Sequence, residues 1–304
     1  MQKRYLCTKA KIMKQWTLLL LLLVGALGNS FAAELDGTGT LTKHTFKHKG
    51  VEYDYWLYMP QNIAEDAPLL MVFHGYGSKN IPSVNYGFQP LADKHGFAIC
   101  YPRGPKDFKG KHYWSVGYQF HIENNCERDD VGLAIRLAKH LQKEHKLSKE
   151  NLFATGHSNG GAMSYILAYQ ASKHFTAVAS VSGHIMECRY RTLTPKHPIP
   201  VMEVHGTEDR LSRWNGDPYN KDGWGADIAT PRAVGLWAAA NRCTHEETEV
   251  LPIVKNRVIA HRFVGGTGGN EVWFYEVVGG KHNWAGDSMN TAAEIWKFFS
   301  KYIK

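Results

Sequence analysis

Residues 153–161 read Phe-Ala-Thr-Gly-His-Ser-Asn-Gly-Gly, which sets Ser158 in a Gly-x-Ser-x-Gly pattern. A serine hydroxyl is a weak nucleophile at neutral pH and needs a neighbouring base. The flanks give the pattern its meaning. A strand-like run at 151–154 precedes it, and a helical run at 162–171 follows. On so tight a strand-to-helix turn, bulky side chains at the two glycine positions would clash. The serine is held at strained backbone angles with its Oγ exposed. The helix that follows aims free N–H groups and its positive dipole end at the reacting oxygen. The chemistry this predicts is acyl transfer through a covalent serine intermediate.

The partners of a serine placed this way follow in the order Ser, acid, His. After Ser158, an apolar run at 199–204 leads into His205-Gly206-Thr207-Glu208-Asp209. A carboxylate just past a buried strand is where the acid belongs, and Asp209 is the candidate. Glu208 is the adjacent alternative and Asp217 a weaker one. Three histidines lie further on. His261 sits in an alternating apolar stretch (VIAHRFV) and reads as a strand residue, and His245 sits in a charged loop (CTHEETE). His282 follows the last strand in a Gly-rich loop, Val-Val-Gly-Gly-Lys-His-Asn-Trp, and is the predicted base and acid. His74, His157 and His205 fall at strand ends and line the same region. An oxyanion hole needs two N–H donors. One is expected from Asn159, next after the nucleophile. The second is expected from the loop His74-Gly75-Tyr76-Gly77, with the Tyr76 N–H favoured and Gly75 the alternative.

These residues need a frame. Segments at 44–47 and 51–59 around Lys49-Gly50 read as a β-hairpin. Short continuous apolar runs at 68–73 (PLLMVF) and 97–101 (FAICY) suit strands buried on both faces. Further strands are predicted at 151–154, 176–181, 199–204 and 271–278, and helical patterns at 129–146, 162–171, 231–242 and 291–303. Strands alternating with helices give an α/β chain. Its sheet is mixed but mostly parallel, with helices on both faces.

With its motifs in this order, the sequence resembles an exported esterase family. That family comprises feruloyl esterases, acetylxylan esterases and polyhydroxybutyrate depolymerases. The resembling residues are His74-Gly75-Tyr76-Gly77, Asp129-Asp130-Val131-Gly132, residues 156–161, residues 205–209 and residues 279–284. The likeness covers about residues 50–303. It departs at Ala285, where the family often has Pro, and at Cys100, usually an aliphatic position. The resemblance implies the α/β-hydrolase fold and ester hydrolysis through an acyl-enzyme. It leaves the acyl group open, because fold and triad do not fix substrate.

Specificity falls to the loops. Residues 106–126 carry Phe108, Tyr113, Trp114, Tyr118 and Phe120; Trp214, Tyr219 and Trp224 follow Asp209; Trp284 lies two residues past the predicted base. Aromatic rings beside a site stack on a phenolic acyl group or a sugar face. Trp114 and Trp284 are the predicted substrate contacts. The expected substrate is a feruloyl ester of xylan fragments, as a small molecule or an oligosaccharide. Acetylxylan and hydroxybutyrate oligomers are the rivals among esters. A non-catalytic carbohydrate-binding protein on the same scaffold is the rival of another class. No metal or organic cofactor is implied.

The first 32 residues differ in composition from the rest of the chain. Residues 1–16 carry Lys3, Arg4, Lys9, Lys11 and Lys14 and no acid; residues 18–24 read LLLLLLV, and a Ser-x-Ala end follows at 30–32. This is the pattern of a secretory signal peptide, and the apolar run is too short for a membrane span. Met13 begins a more typical leader, so an upstream start accounts for residues 1–12. The expected division is a signal peptide at 1–32 and an esterase domain at 33–304, secreted or periplasmic. Loss of residues 1–32 takes the formal charge from +8 to +3. The basic balance is therefore mostly a targeting feature. No clustered basic stripe points to nucleic acid. No membrane association is expected after cleavage. Cys100, Cys126, Cys188 and Cys243 remain. An even count in an exported chain predicts two disulfides. The expected pairs are Cys188–Cys243, closing a loop around Asp209, and Cys100–Cys126, bracketing the aromatic loop. Buried free thiols are the alternative.

Overall fold

The structure is a computed structural model that describes residues 37–78 and 86–304. The predicted signal peptide lies outside the described residues. The hairpin is β1 (Thr40–His48) and β2 (Val51–Met59), paired in register from His48–Val51 outward. Lys49 and Gly50 between them have φ of 48° and 83°. Two central residues at positive φ match the strand twist that a two-residue hairpin needs. Then come β3 (Leu69–Phe73), α1 (Phe88–His95), β4 (Ala98–Pro102), α2 (Gln119–Glu123) and α3 (Asp130–Glu144). The elbow region supplies β5 (Leu152–His157) and α4 (Asn159–Ala171). The rest is β6 (Ala177–Val181), α5 (Glu187–Thr192), β7 (Val201–Gly206), α6 (Thr230–Ala240), β8 (His245–Val250), β9 (Val258–Val264), β10 (Val272–Val277) and α7 (Thr291–Ser300).

These strands form one ten-stranded sheet in the order β1-β2-β4-β3-β5-β6-β7-β10-β9-β8. From β4 to β10 all neighbours are parallel. The hairpin on one flank and β9–β8 on the other are antiparallel. The reason lies in β3: Leu69, Met71 and Phe73 enter one apolar core and Leu70 and Val72 the other. A strand covered on both faces needs a continuous apolar run. The first core is roofed by α3, α4 and α6 and the second by α1 and α7. β3 has β4 on one side and β5 on the other. The chain reverses its direction of winding there, and the loops at the carboxyl ends diverge to leave a crevice.

Several expectations need correction. The stretch around His245, read as a charged loop, is the edge strand β8, and all six of its residues are exposed. A strand with both faces in water shows no alternation, and charges on it block further pairing. The short helices α1, α2 and α5 were not anticipated. The two disulfides are absent: Cys100, Cys126, Cys188 and Cys243 are free thiols. Cys100 is enclosed inside β4 between Leu57 and Met71, and burial pushes its thiol pKa up. Cys126 sits just past α2, where its carbonyl accepts the Tyr113 hydroxyl. Cys188 rides exposed on α5 against the Gly117 carbonyl, while Cys243 ends the turn after α6. Packing and hydrogen bonds fix both loops without a covalent tie. Among the described residues no helix is long and apolar enough to cross a membrane.

Candidate active site

Ser158 stands between β5 and α4 with φ 57° and ψ −119°. A non-glycine residue there is strained, at a cost of about 1–3 kcal/mol. Its backbone is pinned from both sides. The Ser158 N–H donates to Val181 O at 2.8 Å, and its carbonyl accepts from the Ala162 N–H at 2.9 Å. Close packing explains the glycines. A Cβ on Gly160 would stand 2.0 Å from the Phe73 carbonyl oxygen. The elbow is therefore wedged against the end of β3.

β7 and β10 are parallel neighbours, so their following loops emerge side by side. The Glu208 N–H donates to Gly280 O at 2.9 Å and the Gly279 N–H to Thr207 Oγ1 at 2.8 Å. This joint delivers two side chains to Ser158. His282 Nε2 lies 2.9 Å from Ser158 Oγ, and His282 Nδ1 lies 2.8 Å from Asp209 Oδ2. The other oxygen of Asp209 accepts the N–H groups of Leu211 and Ser212 at 2.8 and 2.9 Å. Burial works to raise the Asp209 pKa. The hydrogen bond and charge of His282, the charge of His205 and the Leu211 N–H outweigh it, and the net shift is downward. The carboxylate stays ionised. Its contact with Nδ1 fixes the imidazole tautomer that leaves Nε2 free to accept the serine proton.

The alternatives for acid and base lie elsewhere. Glu208 is exposed. Asp217 is buried in a turn, where it accepts the Asp222 N–H. His261 on β9 lies between Glu246 and Glu276 at 2.6 and 3.4 Å. His245 is exposed on β8. His157 lies beside His282, the rings tilted with centroids 5.0 Å apart, and burial foremost lowers its pKa to about 3. It is a neutral neighbour of His282.

The loop after β3 is organised by His74. Its Nε2 accepts the Gly104 N–H at 3.0 Å, so the hydrogen sits on Nδ1 and is donated to Gly75 O at 2.7 Å. Burial lowers the His74 pKa to about 4, which keeps this tautomer neutral. In a trans peptide the C=O and N–H point in opposite directions. Tying the Gly75 carbonyl to His74 therefore turns the Tyr76 N–H to the other side. Gly77 and Ser78 donate to His112 O and Gly75 O, while the Tyr76 N–H has no acceptor among the described residues. Gly75 lies against the elbow: a Cβ there would be 3.5 Å from Ser158 Cβ. The Asn159 N–H is the first in α4, one of those a helix leaves unsatisfied.

Trp114 does not form a wall of the site. It is fully buried, edge-on to Phe73 at 5.1 Å, with Nε1 donating to His74 O at 3.0 Å. Its backbone is gripped by the buried Asn159 side chain. Oδ1 accepts the Trp114 N–H at 2.7 Å and Nδ2 donates to the Trp114 carbonyl at 3.1 Å. Sequence reasoning gave Asn159 only a backbone role; the amide pairs with a backbone 45 positions away and leaves no local signal. Trp284 is half-buried, stacked on Tyr86 at 4.1 Å and 6.4 Å from His157. Tyr76, on the loop after β3, and the neighbouring Phe120 and Trp224 are partly exposed rings. Trp224 meets Tyr76 at 5.4 Å and Phe120 at 5.6 Å. Asp107 anchors this group by accepting the Tyr76 hydroxyl at 2.6 Å. Trp214 instead packs on Phe274, and Tyr219 is exposed.

Known proteins share this framework. Residues 82–221 match the Prolyl oligopeptidase family, less than half of the chain. The chain is 27% identical over 164 residues to a bifunctional acetylxylan esterase/xylanase of Neocallimastix patriciarum, covering 54% of this chain and 22% of that protein. It is 27% identical over 179 residues to "Probable feruloyl esterase C" of Aspergillus flavus, covering 56% of this chain and 59% of that one. The chain thus spans less than two thirds of the length of these curated relatives. Among solved structures, acetyl xylan esterase from Aspergillus awamori superposes with a TM-score of 0.59 at 16% identity, covering 86% of this chain and 99% of that one. Likeness at that identity speaks to architecture, and the architecture is the α/β-hydrolase fold; in sequence the chain resembles acetylxylan and feruloyl esterases.

Proposed function

We propose that this protein is an exported serine carboxylesterase acting on plant cell-wall esters of the feruloyl-xylan type. The observation that carries the ester chemistry is the unbroken relay Ser158 Oγ–His282 Nε2 at 2.9 Å and His282 Nδ1–Asp209 Oδ2 at 2.8 Å. Ser158 attacks the ester carbonyl while His282 takes its proton, and Asp209 holds and charge-balances the imidazolium. The N–H groups of Asn159 and Tyr76 receive the developing oxyanion. His282 then returns the proton to the leaving alcohol. Water enters by the same route and releases the acid. No step calls for a metal or an organic cofactor. The rings of Tyr76, Phe120 and Trp224 support an aromatic acyl group, and Trp284, beside Tyr86 and His157, is a further ring near His282. Export rests on the leader-like residues 1–32.

Acetyl esters are the second reading, favoured by the acetylxylan esterase names among the relatives. Purified protein assayed on methyl ferulate, acetylated xylan and hydroxybutyrate oligomers separates the substrates. Ser158→Ala should lower kcat by a factor on the order of 10⁴–10⁶ with the fold kept. A folded variant that retains more than a few per cent of activity refutes the role of Ser158.

A further inference from the structure

We infer that His205 and Glu203 are a buried positioning pair behind the acid, and that they set where on the pH scale the relay works. This rests on the assignment of Ser158, His282 and Asp209 above. Glu203 and His205 are two apart on β7 and so share one face of the sheet. Both are almost wholly enclosed, as is Tyr165 of α4 above them. His205 Nε2 lies 2.7 Å from Ser212 O. A carbonyl only accepts, so Nε2 carries a hydrogen. His205 Nδ1 faces Glu203 Oε1 at 2.8 Å, and one proton must occupy that contact. Glu203 Oε2 accepts the Tyr165 hydroxyl at 2.8 Å. A carboxylate with that second donor leaves the shared proton on the imidazole, which makes His205 a cation.

The cation lies where it matters. His205 Nε2 is 3.7 Å from Asp209 Oδ2, the same oxygen that meets His282. Ser212 joins the two groups, with its N–H on Asp209 and its carbonyl on His205. The pair thus closes the base of the acid's loop and faces the acid with positive charge. Burial opposes that charge, but Glu203, the Ser212 carbonyl and Asp209 together raise the His205 pKa. Burial raises the Glu203 pKa too, against the pull of His205. Other groups face this region. His157 and His184 are neutral, lowered by burial to about 3 and about 4. Asp227 is raised by burial to about 7, and the Trp214 ring is 6.2 Å from His205. A buried ion pair is rarely better for stability than apolar residues of the same size. Ser180 on β6 and Glu276 on β10 lie beside Glu203 and His205 in register, and Glu276 meets His261 at 3.4 Å. A role toward Asp209 explains why an ion pair is buried here.

The test is the pH profile of kcat/KM for p-nitrophenyl acetate, with the rate of Ser158 labelling by a fluorophosphonate as a parallel readout. Glu203→Gln removes the anion that holds the proton on His205, and His205→Gln removes the cation while keeping an N–H for Ser212. Without the cation, the charge of Asp209 acts undivided on His282, which then holds a proton more readily. Both variants should move the acid limb to higher pH, by on the order of one unit. A merely structural pair would lower the rate equally at every pH. If both variants fail to fold, Tyr165→Phe, which removes one hydrogen bond, should move the limb the same way by less. An unmoved limb in the variants that fold overturns the inference. Turnover and labelling that survive Ser158→Ala would instead overturn the assignment of the nucleophile, a separate result.

Discussion

Replacing Trp114 by Ala removes a side chain that is fully enclosed, edge-on to Phe73 and bonded through Nε1 to the His74 carbonyl. Deleting a packed Trp costs about 3–5 kcal/mol. The His74 carbonyl then loses a buried donor, a further cost of about 1–3 kcal/mol. With roughly 2–4 °C lost per kcal/mol in a domain of this size, Tm should fall by roughly 8–32 °C. The Trp114 backbone stays clamped by Asn159, so the elbow keeps its shape. Catalysis should therefore fall by one common factor for all esters, and the ratio of kcat/KM for methyl ferulate to that for p-nitrophenyl acetate should hold. Trp224→Ala is the counterpart. Trp224 is partly exposed against Tyr76 and Phe120. Stacking beyond area burial is worth about 0.5–1.5 kcal/mol, so that ratio should drop by roughly 2- to 13-fold with little change in Tm. Thermal unfolding by circular dichroism and paired kinetics below the variants' melting range read both quantities. A shifted ratio with an unchanged Tm in Trp114→Ala would refute the reasoning and return that ring to the substrate.

Other outcomes are equally concrete. Asp209→Asn should cut turnover by up to roughly 10⁴, because an amide favours the wrong imidazole tautomer, while Glu208→Gln does much less; the reverse ranking in kcat would move the acid. His74, His157 and His184 are held below their unfolded pKa of 6.5, at about 4, about 3 and about 4. The unfolded chain therefore binds more protons below pH 6.5, and stability should decline from there to about pH 3–4. A flat Tm between pH 7 and 4.5 would contradict the burial of these rings. Alkylation without prior reduction should modify Cys100, Cys126, Cys188 and Cys243 in the denatured chain, and Cys188 first in the native one; a Cys188–Cys243 peptide in non-reducing mapping would contradict the free thiols.

Much of this frame was legible in the sequence. β3, β4 and β7 are short apolar runs because both their faces are covered, and that condition marks them without any partner in view. The segments of the relay were readable because they carry a compact pattern of glycines: Gly279 and Gly280 serve their own turn, while Gly156 and Gly160 make room for the end of β3. What escaped depends on distance along the chain. Trp114 looked like a substrate contact because its position under the oxyanion loop comes from residues 40 and 45 positions away, His74 and Asn159. The carboxylate of Glu203 gave no sign of its role inside the apolar run of β7, because its partner Tyr165 is 38 positions distant. β8 was hidden by its own exposure, and the disulfides were inferred from cysteine parity, which carries no geometry.

The amide of Asn159 has a consequence for exchanging specificity between relatives. One side chain spans from the first turn of α4 to both backbone atoms of Trp114, in the middle of the segment that carries Tyr118 and Phe120. The aromatic loop and the segment that carries Ser158 are therefore coupled through one side chain. A segment grafted into positions 106–126 from a relative would arrive without the backbone geometry that this amide expects, and would disturb Ser158 through its immediate neighbour. Transplants that carry residue 159 together with its loop should keep turnover and change preference; transplants of the loop alone should lose both.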